Sequence, residues 1–342
     1  MIRTILNDMG FPFGLLSSRQ PKTDDFKSWP IQSPSENTRN LYCALSKKMP
    51  TLLYHLTERV RCRFKPEDVF LGHPYFPHAE GGCGVTELAL REKVRPRKIA
   101  LITPLHCDTK IKTEHINKEF LDDVDKLLPS ADMLFAIMGE YWWDRWDLSP
   151  YAHWKSKMVR LDMAVDVQRY PRIKKSFSAP GKRGYLYIGN SSDPRKGVDF
   201  LSQLMSQLKD YPKGWIGSGP DIPDVPRISN NCSLTPEFMA EISKQYDFFI
   251  SPARADPNPT TILESMAWGF PVICTPQSGY YETDYRKNIY LDDIAESVAV
   301  LNELQYDDEQ KLMSMADKAR ETVVADYSWD KFTSTVMRNL GI

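Results

Sequence analysis

The sequence predicts an α/β protein with two Rossmann-like lobes, and three observations support this fold class. The chain has 342 residues, which is more than one hydrophobic core usually serves. Short apolar runs alternate with amphipathic segments in both halves, as in parallel sheets flanked by helices. Residues 170–184 contain two prolines, two glycines and several basic residues, which is typical of an interdomain linker. We therefore expect a first domain over 1–170, a linker over 171–184, a second domain over 185–326 and a C-terminal helix over 327–342 that packs back toward the first lobe.

The composition excludes several classes of protein. With 42% hydrophobic and 26% charged residues the chain is an ordinary globular protein, and its net charge of -1 offers no basic surface for nucleic acid. Its cysteines form no C-x-x-C pair, so they indicate neither a zinc site nor a disulfide framework. The start of the chain lacks the pattern of a signal peptide, and no run approaches the ~18 apolar residues of a membrane span. The sequence therefore predicts a cytoplasmic location.

Apolar periodicity places the elements of both lobes. Leucines at 41, 45, 52, 53 and 56 have helical spacing with a break at Pro50, so we expect helices there, after a Pro- and Gly-rich loop over 10–34. Other predicted strands cover 68–72, 98–103, 133–137, 185–189, 214–217, 248–250 and 271–274, and other predicted helices cover 85–93, 117–128, 198–208, 237–245, 261–268, 307–324 and 329–340.

Two cations follow the first strand of the second lobe. Gly189 and Asn190 end that strand, and Arg195 and Lys196 precede the next helix. Helix N-termini favour anions, and an Arg fork beside a mobile Lys charge suits a diphosphate. This pattern favours a phosphate site, although a solvated basic turn would show the same residues.

Two carboxylates lie eight positions apart further along this lobe. Asp256 falls on a loop at a strand end, and Glu264 falls inside the following helix. Ligands of open α/β sheets bind at such strand ends, where carboxylates can accept hydrogen bonds from sugar hydroxyls. Thr260 and Thr261 open the helix, so its free N–H groups can face a phosphate.

The residues that follow complete a motif. The sequence runs DPNPTTILE over 256–264, SMA over 265–267 and GFPVI over 269–273. This run resembles the donor-lobe hallmark of the family-4 glycosyltransferases, E-x(7)-E, then A/S-M-A, then G-x-P-V-I, with Asp256 in place of the first glutamate. The resemblance covers residues 185–340 and includes 217–220, 279–282 and 327–330. That family has the GT-B fold, with the donor site in the cleft between the lobes.

The resemblance implies a role for each motif residue. Glu264 would hold the ribose hydroxyls, Arg195 and Lys196 the diphosphate, and Asp256 the donor sugar. The predicted catalytic residues are Arg195, Lys196, His106 and Asp256, and the predicted donor-binding residues are Gly189, Asn190, Arg195, Lys196, Asn258, Pro259, Thr260, Thr261 and Glu264.

The resemblance also implies the reaction. The protein would be a retaining glycosyltransferase that moves a hexose-type sugar from a nucleoside-diphosphate sugar, with UDP or GDP unresolved, to a hydroxyl acceptor. No metal and no bound cofactor would be needed, because the two cations neutralise the leaving diphosphate. A non-catalytic module that binds a sugar or a nucleotide is the alternative from another class. A phosphorylase or epimerase on the same fold is the closer alternative.

The first lobe follows the family pattern less closely. His106, after the strand over 98–103, corresponds to the histidine that lies near the reacting sugar in this family. Residues 159–171, with Asp166, are similar to the segment G-V-D-x-x-x-F-x-P, although Ala164 replaces its glycine. The glycine pair expected before the first helix is missing, with only Gly10 and Gly14 in its place.

Three further features have competing interpretations. Asp123 and Asp125 form a D-x-D, but an amphipathic helix with solvated charges explains them more simply than a metal site does. Basic residues at 59–65 and 91–98 could contact an anionic membrane, although nearby acidic residues favour a plain solvated surface. An aromatic cluster is expected to pack in the core, with sugar stacking or an interface as the alternative; its members are Tyr141, Trp142, Trp143, Trp146, Tyr151 and Trp154.

Overall fold

The chain folds into two α/β lobes, each built on a parallel sheet. This computed structural model describes residues 4–7, 36–49, 51–54, 64–74, 94–108, 118–230 and 234–342. The strands of the first sheet lie in the order Thr51–Tyr54, Thr4–Asn7, Val69–Gly72, Lys98–Pro104, Met133–Ile137 and Met158–Leu161. Those of the second lie in the order Arg286–Asn288, Val272–Cys274, Phe248–Ser251, Tyr185–Ile188, Lys213–Ile216 and Arg227–Ser229. All registered neighbours in both sheets are parallel. The predicted fold class, α/β with two Rossmann-like lobes, is confirmed.

The strands are short and mostly buried. Those of the first lobe are β1 Thr4–Asn7, β2 Thr51–Tyr54, β3 Val69–Gly72, β4 Lys98–Pro104, β5 Met133–Ile137 and β6 Met158–Leu161. Those of the second are β7 Tyr185–Ile188, β8 Lys213–Ile216, β9 Arg227–Ser229, β10 Phe248–Ser251, β11 Val272–Cys274 and β12 Arg286–Asn288.

Helices cover the faces of both sheets. They are α1 Glu36–Ser46, α2 Lys118–Leu127, α3 Glu140–Arg145, α4 Val198–Gln207, α5 Pro236–Ile242, α6 Thr260–Trp268, α7 Ile294–Tyr306, α8 Glu309–Asp326 and α9 Trp329–Leu340. Side-chain caps begin several of them. Asp293, Asp308 and Ser328 each accept a hydrogen bond from an amide in the first turn of the helix that they precede.

The last helix joins the two lobes. Helix α9 packs against α1 of the first lobe, and Lys98 Nζ donates to the carbonyl of Asn339 at 3.0 Å. One apolar cluster contains buried residues of both lobes, including Leu41 from α1 and Val336 from α9. The C-terminal helix therefore returns to the first lobe, as predicted.

The segment between the lobes is less solvated than its composition indicates. Lys174 is 2% exposed and Arg183 is 1% exposed. The Lys174 ammonium contacts Asp247 Oδ1 at 2.7 Å and donates to two carbonyls. Arg183 donates to the carbonyl oxygens of Leu304 and Asp307. These basic residues anchor the segment to the second lobe, and the boundaries of the domains and linker stay predictions.

One element of the sequence-based prediction is wrong. Leu52 and Leu53 lie in strand β2, which pairs with β1, and not in a helix. A four-residue apolar run fits either element, and the neighbouring strand decides between them. Helix α7 and strands β6, β9 and β12 were not predicted. The predicted loop over 10–34, the predicted helix over 85–93 and Leu56 lie outside the described residues.

Candidate active site

The loop after β7 presents the two predicted cations. Asp193 caps a short 3₁₀ turn, Pro194–Lys196, by accepting from the Arg195 amide at 3.0 Å. Gly197 then turns the chain into α4 with φ of 65°. A Cβ on Gly197 would lie 2.0 Å from the Pro252 carbonyl oxygen, so only glycine fits there. This turn places Arg195 and Lys196 beside the carboxyl end of β10.

Arg195 is held by a neighbouring carboxylate. Its Nε lies 3.0 Å and its Nη2 lies 2.7 Å from oxygens of Asp193. Burial alone would raise the pKa of Asp193, but the Arg195 guanidinium outweighs it and the pKa of Asp193 is lowered. Within the described part of the chain, Nη1 of Arg195 makes no hydrogen bond, so donors remain for an incoming anion.

Lys196 pairs directly with the predicted donor-sugar carboxylate. Its ammonium donates to Asp256 Oδ2, and the two side chains are 27% and 13% exposed. They come from different strand ends, β7 and β10, and are sixty positions apart in the sequence. An ammonium has three donors, so this ion pair leaves Lys196 able to bind a phosphate oxygen as well.

His106 lies beside this pair at the end of β4. It is fully buried, and both of its ring nitrogens are enclosed by protein. Burial first, and then the positive charge of Arg195, lowers the pKa of His106 to about 4. The imidazole is therefore neutral at neutral pH, with one donor and one acceptor available. Its ring centroid lies 5.4 Å from that of Trp142, whose indole N–H donates to the Asp256 carbonyl. Since Asp256 pairs with Lys196, and Arg195 precedes Lys196, the four predicted catalytic residues lie in one region.

Helix α6 carries the remaining part of the motif. Pro259 is its N-cap residue without a side-chain cap, and Thr260 and Thr261 occupy its first turn. Thr260 and Glu264 lie one turn apart and line a pocket of about 170 Å³. The other walls of this pocket come from residues 164–170 of the first lobe and from Asn40 and Trp329. Glu264 therefore faces a pocket between the lobes that none of the four clustered residues lines.

Comparisons with known proteins identify the second lobe. Residues 182–305 match the family model of the glycosyl transferases group 1. Over these residues the second lobe is similar to that family. The resemblance found in the sequence is thereby confirmed for the family and for the GT-B fold.

The similarity to some known proteins extends over nearly the whole chain. The chain is 23% identical to TuaC of Bacillus subtilis (strain 168), a protein named as a teichuronic acid biosynthesis glycosyltransferase, over 94% of this chain and 84% of that one. Sucrose-phosphate synthase from Thermosynechococcus elongatus superposes with a TM-score of 0.68 at 13% identity, covering 99% of both chains. S. aureus TarM, solved with fondaparinux, α-GlcNAc-glycerol and UDP, superposes with a TM-score of 0.57 at 11% identity, covering 89% of this chain and 59% of that one.

Three of the predicted donor-binding residues have internal partners. Asn258 Oδ1 accepts from the Met163 amide at 2.8 Å and from the Tyr280 hydroxyl at 3.2 Å, so its side chain links the two lobes. Asn190 Oδ1 accepts from the Ser192 amide at 2.9 Å, and the Gly189 carbonyl accepts from the Trp215 indole at 2.9 Å. These contacts shape the loops around the cluster, and direct donor contacts by the three residues stay predictions.

The aromatic cluster packs mainly in the first lobe, as expected. Trp142, Trp146, Tyr151 and Trp154 are buried there. The D-x-D lies on helix α2, where Asp125 accepts from the Trp154 indole at 2.6 Å and Asp123 pairs with Lys126. No three His, Cys, Asp or Glu side chains of the described ranges gather as metal ligands. In the same ranges, no helix has the length and apolar character needed to cross a membrane.

Sequence reasoning missed two contributors to the site. Asp193 was not identified as the partner of Arg195, although Asp before Pro at the start of a turn is a local signal for such a cap. Trp142 was grouped with the core aromatics, yet its indole N–H donates to the carbonyls of Gln277 and Asp256. That contact joins residues more than a hundred positions apart, so no local pattern could reveal it.

Proposed function

We propose that this group 1 glycosyltransferase is a retaining, metal-independent hexosyltransferase of polysaccharide or glycoconjugate biosynthesis. Its donor would be a UDP- or GDP-sugar, and its acceptor a hydroxyl of a glycan or lipid-linked saccharide. The name of TuaC supports a polysaccharide role, and the UDP bound by TarM supports a nucleotide donor.

One observation carries the proposal: two cations, a carboxylate and a neutral imidazole converge at the strand ends of the two lobes. Arg195 and Lys196 supply positive charge where the leaving diphosphate would form. Negative charge on that group grows as the glycosidic bond breaks, so these cations bind the transition state more strongly than the bound donor. A metal ion is then not required for leaving-group stabilisation.

The carboxylate and the imidazole would orient the sugar. Asp256 keeps one oxygen on Lys196 and can accept a sugar hydroxyl with the other. His106 is neutral and buried in the free protein, so it would orient a sugar hydroxyl once donor binding exposes its ring. Glu264 faces the pocket next to Thr260 and would accept hydrogen bonds from the ribose hydroxyls, while the first amides of α6 would face the distal phosphate.

Retention of configuration would follow from attack on the donor face from which the diphosphate leaves. In that geometry a phosphate oxygen held by Lys196 can take the proton of the acceptor hydroxyl. His106 would not act as the base, because its imidazole is fully buried and its pKa, lowered to about 4, makes it a weak proton acceptor.

The experiment is a donor screen with purified protein. UDP- and GDP-hexoses are incubated with glycan acceptors, with and without EDTA, while free nucleoside diphosphate is quantified and the product anomer is read by NMR. The proposal predicts transfer with retained configuration that survives chelation. Turnover that vanished in EDTA and returned with manganese would refute metal independence, and an inverted product would refute the mechanism.

A further inference from the structure

Trp142 lies where helix α3 of the first lobe meets the loop that carries Asp256. Its side chain is 3% exposed, and its ring centroid lies 5.4 Å from that of His106. Its Nε1 donates to the carbonyl oxygens of Gln277, at 3.0 Å, and Asp256, at 3.3 Å. A single indole therefore contacts the imidazole of the cluster on one side and the backbone of its carboxylate on the other.

The loop is docked onto the first lobe at residues 255–257. Ala255 is fully buried in the apolar cluster of the first lobe, together with Trp142. The Asp256 amide donates to the Gln277 carbonyl at 3.0 Å, and the Gly139 amide donates to the Pro257 carbonyl at 2.8 Å. The backbone of Asp256 is therefore fixed at its amide by Gln277 and at its carbonyl by Trp142.

Gly139, the N-cap residue of α3, allows the helix to approach the second lobe closely. A Cβ on Gly139 would lie 1.9 Å from the Gly279 carbonyl oxygen, so any other residue would push the helix and the loop apart. The Tyr141 amide also donates to this carbonyl at 3.3 Å. The start of α3 thus presents amides and one indole N–H to two loops of the other lobe.

We propose that Trp142 is a positioning residue for donor-sugar recognition: its indole N–H fixes the Asp256 backbone, so the first lobe sets where the carboxylate stands relative to Lys196 and His106. The inference rests on the proposed function in one respect, the assignment of Asp256 to the donor sugar. A carboxylate on a short side chain follows its own backbone, so release of the carbonyl moves the carboxylate away from the sugar.

The test compares Trp142→Phe with Trp146→Phe. Both substitutions remove one indole N–H from a buried ring of the first lobe, but Trp146 donates to Tyr151, away from the loop. Gly139→Ala is a second variant that disturbs the same docking without changing the indole. Two quantities are measured: amide hydrogen exchange of the peptide over residues 252–258, and the ratio of dissociation constants of UDP to UDP-glucose and of GDP to GDP-mannose.

We expect exchange of the 252–258 amides to rise at least tenfold in Trp142→Phe and Gly139→Ala, and to stay unchanged in Trp146→Phe. The ratio of the dissociation constant of the nucleoside diphosphate to that of its nucleotide sugar should fall about tenfold in the first two variants, because one hydrogen bond to the loop is lost. The affinity for the nucleoside diphosphate itself should be retained.

Equal exchange in the two tryptophan variants would overturn the inference. The inference would also be overturned if the ratio of the dissociation constant of the nucleoside diphosphate to that of its nucleotide sugar were as high in Trp142→Phe as in the wild type. If Trp142→Phe did not fold, Gly139→Ala would decide by the same two measurements. Wild-type protein that gained no affinity from either sugar would instead count against the proposed function, and the exchange measurement would still decide the docking role of Trp142.

Discussion

Protonation of His106 should destabilise the folded protein, and the effect can be isolated with a single substitution. The folded state lowers the pKa of His106 from 6.5 to about 4, so the unfolded chain binds more protons between these values. The contribution of the neutral His106 to the free energy of unfolding is therefore fully present above pH 6.5, and it is lost as the pH falls toward 4. Since a pKa difference of one unit corresponds to about 1.36 kcal/mol, the free energy of unfolding should fall by about 2–3 kcal/mol between pH 7.5 and pH 4.5.

Urea unfolding followed by tryptophan fluorescence across this pH range provides the assay. His106→Gln keeps a polar side chain of similar reach that does not titrate, so the variant should lack this part of the pH dependence. His153→Gln is the matched control, because His153 is 64% exposed and pairs with Asp125 on the surface. If wild type and His106→Gln lost the same stability on acidification, the imidazole would not be held neutral by burial and by Arg195.

Three other perturbations test separate parts of the structure. Lys174→Met should lower the free energy of unfolding in urea by ~3–5 kcal/mol, because it leaves the Asp247 carboxylate buried without its cation. Lys244→Met, which breaks an exposed ion pair, should lower it little. Equal losses of stability in the two variants would refute this account of Lys174. Glu264→Gln should weaken binding of UDP or GDP by ~1.5–3 kcal/mol in calorimetry, and unchanged affinity would remove Glu264 from the donor site. If the basic residues of the first lobe contact a membrane, anionic vesicles should co-sediment the protein at low salt but not at high salt; no co-sedimentation at low salt would exclude that contact.

Local patterns predicted much of the fold. The strand over Met133–Ile137 and the helix over Trp329–Leu340 were placed without error, because an uninterrupted apolar run and a capped amphipathic repeat are properties of neighbouring residues. Strand β2 was mistaken for helix because its apolar run is too short to show a period. Its conformation depends on pairing with β1, which lies far away in the sequence.

The parts of the candidate site that depend on contacts between residues far apart in the chain could not be predicted from the sequence. The motif placed Arg195, Lys196 and Asp256 at neighbouring strand ends, and the structure brings them together. The sequence could not show that Lys196 pairs with Asp256 or that Trp142 holds the backbone of that loop. The sequence also could not show that Lys174, within the predicted linker, is buried in an ion pair with Asp247 of the second lobe.

The measurement that most directly tests the central claim is steady-state kinetics of Arg195→Ala and Lys196→Ala on an established donor and acceptor. Arg254→Ala is the control, because it removes a nearby cation that pairs with Asp199 outside the cluster. Leaving-group stabilisation predicts that kcat falls ~10²–10³-fold in the two variants, with a smaller rise in donor KM, and stays near wild type in the control. Wild-type kcat with only KM raised would show that Arg195 and Lys196 bind the donor without stabilising the departing diphosphate.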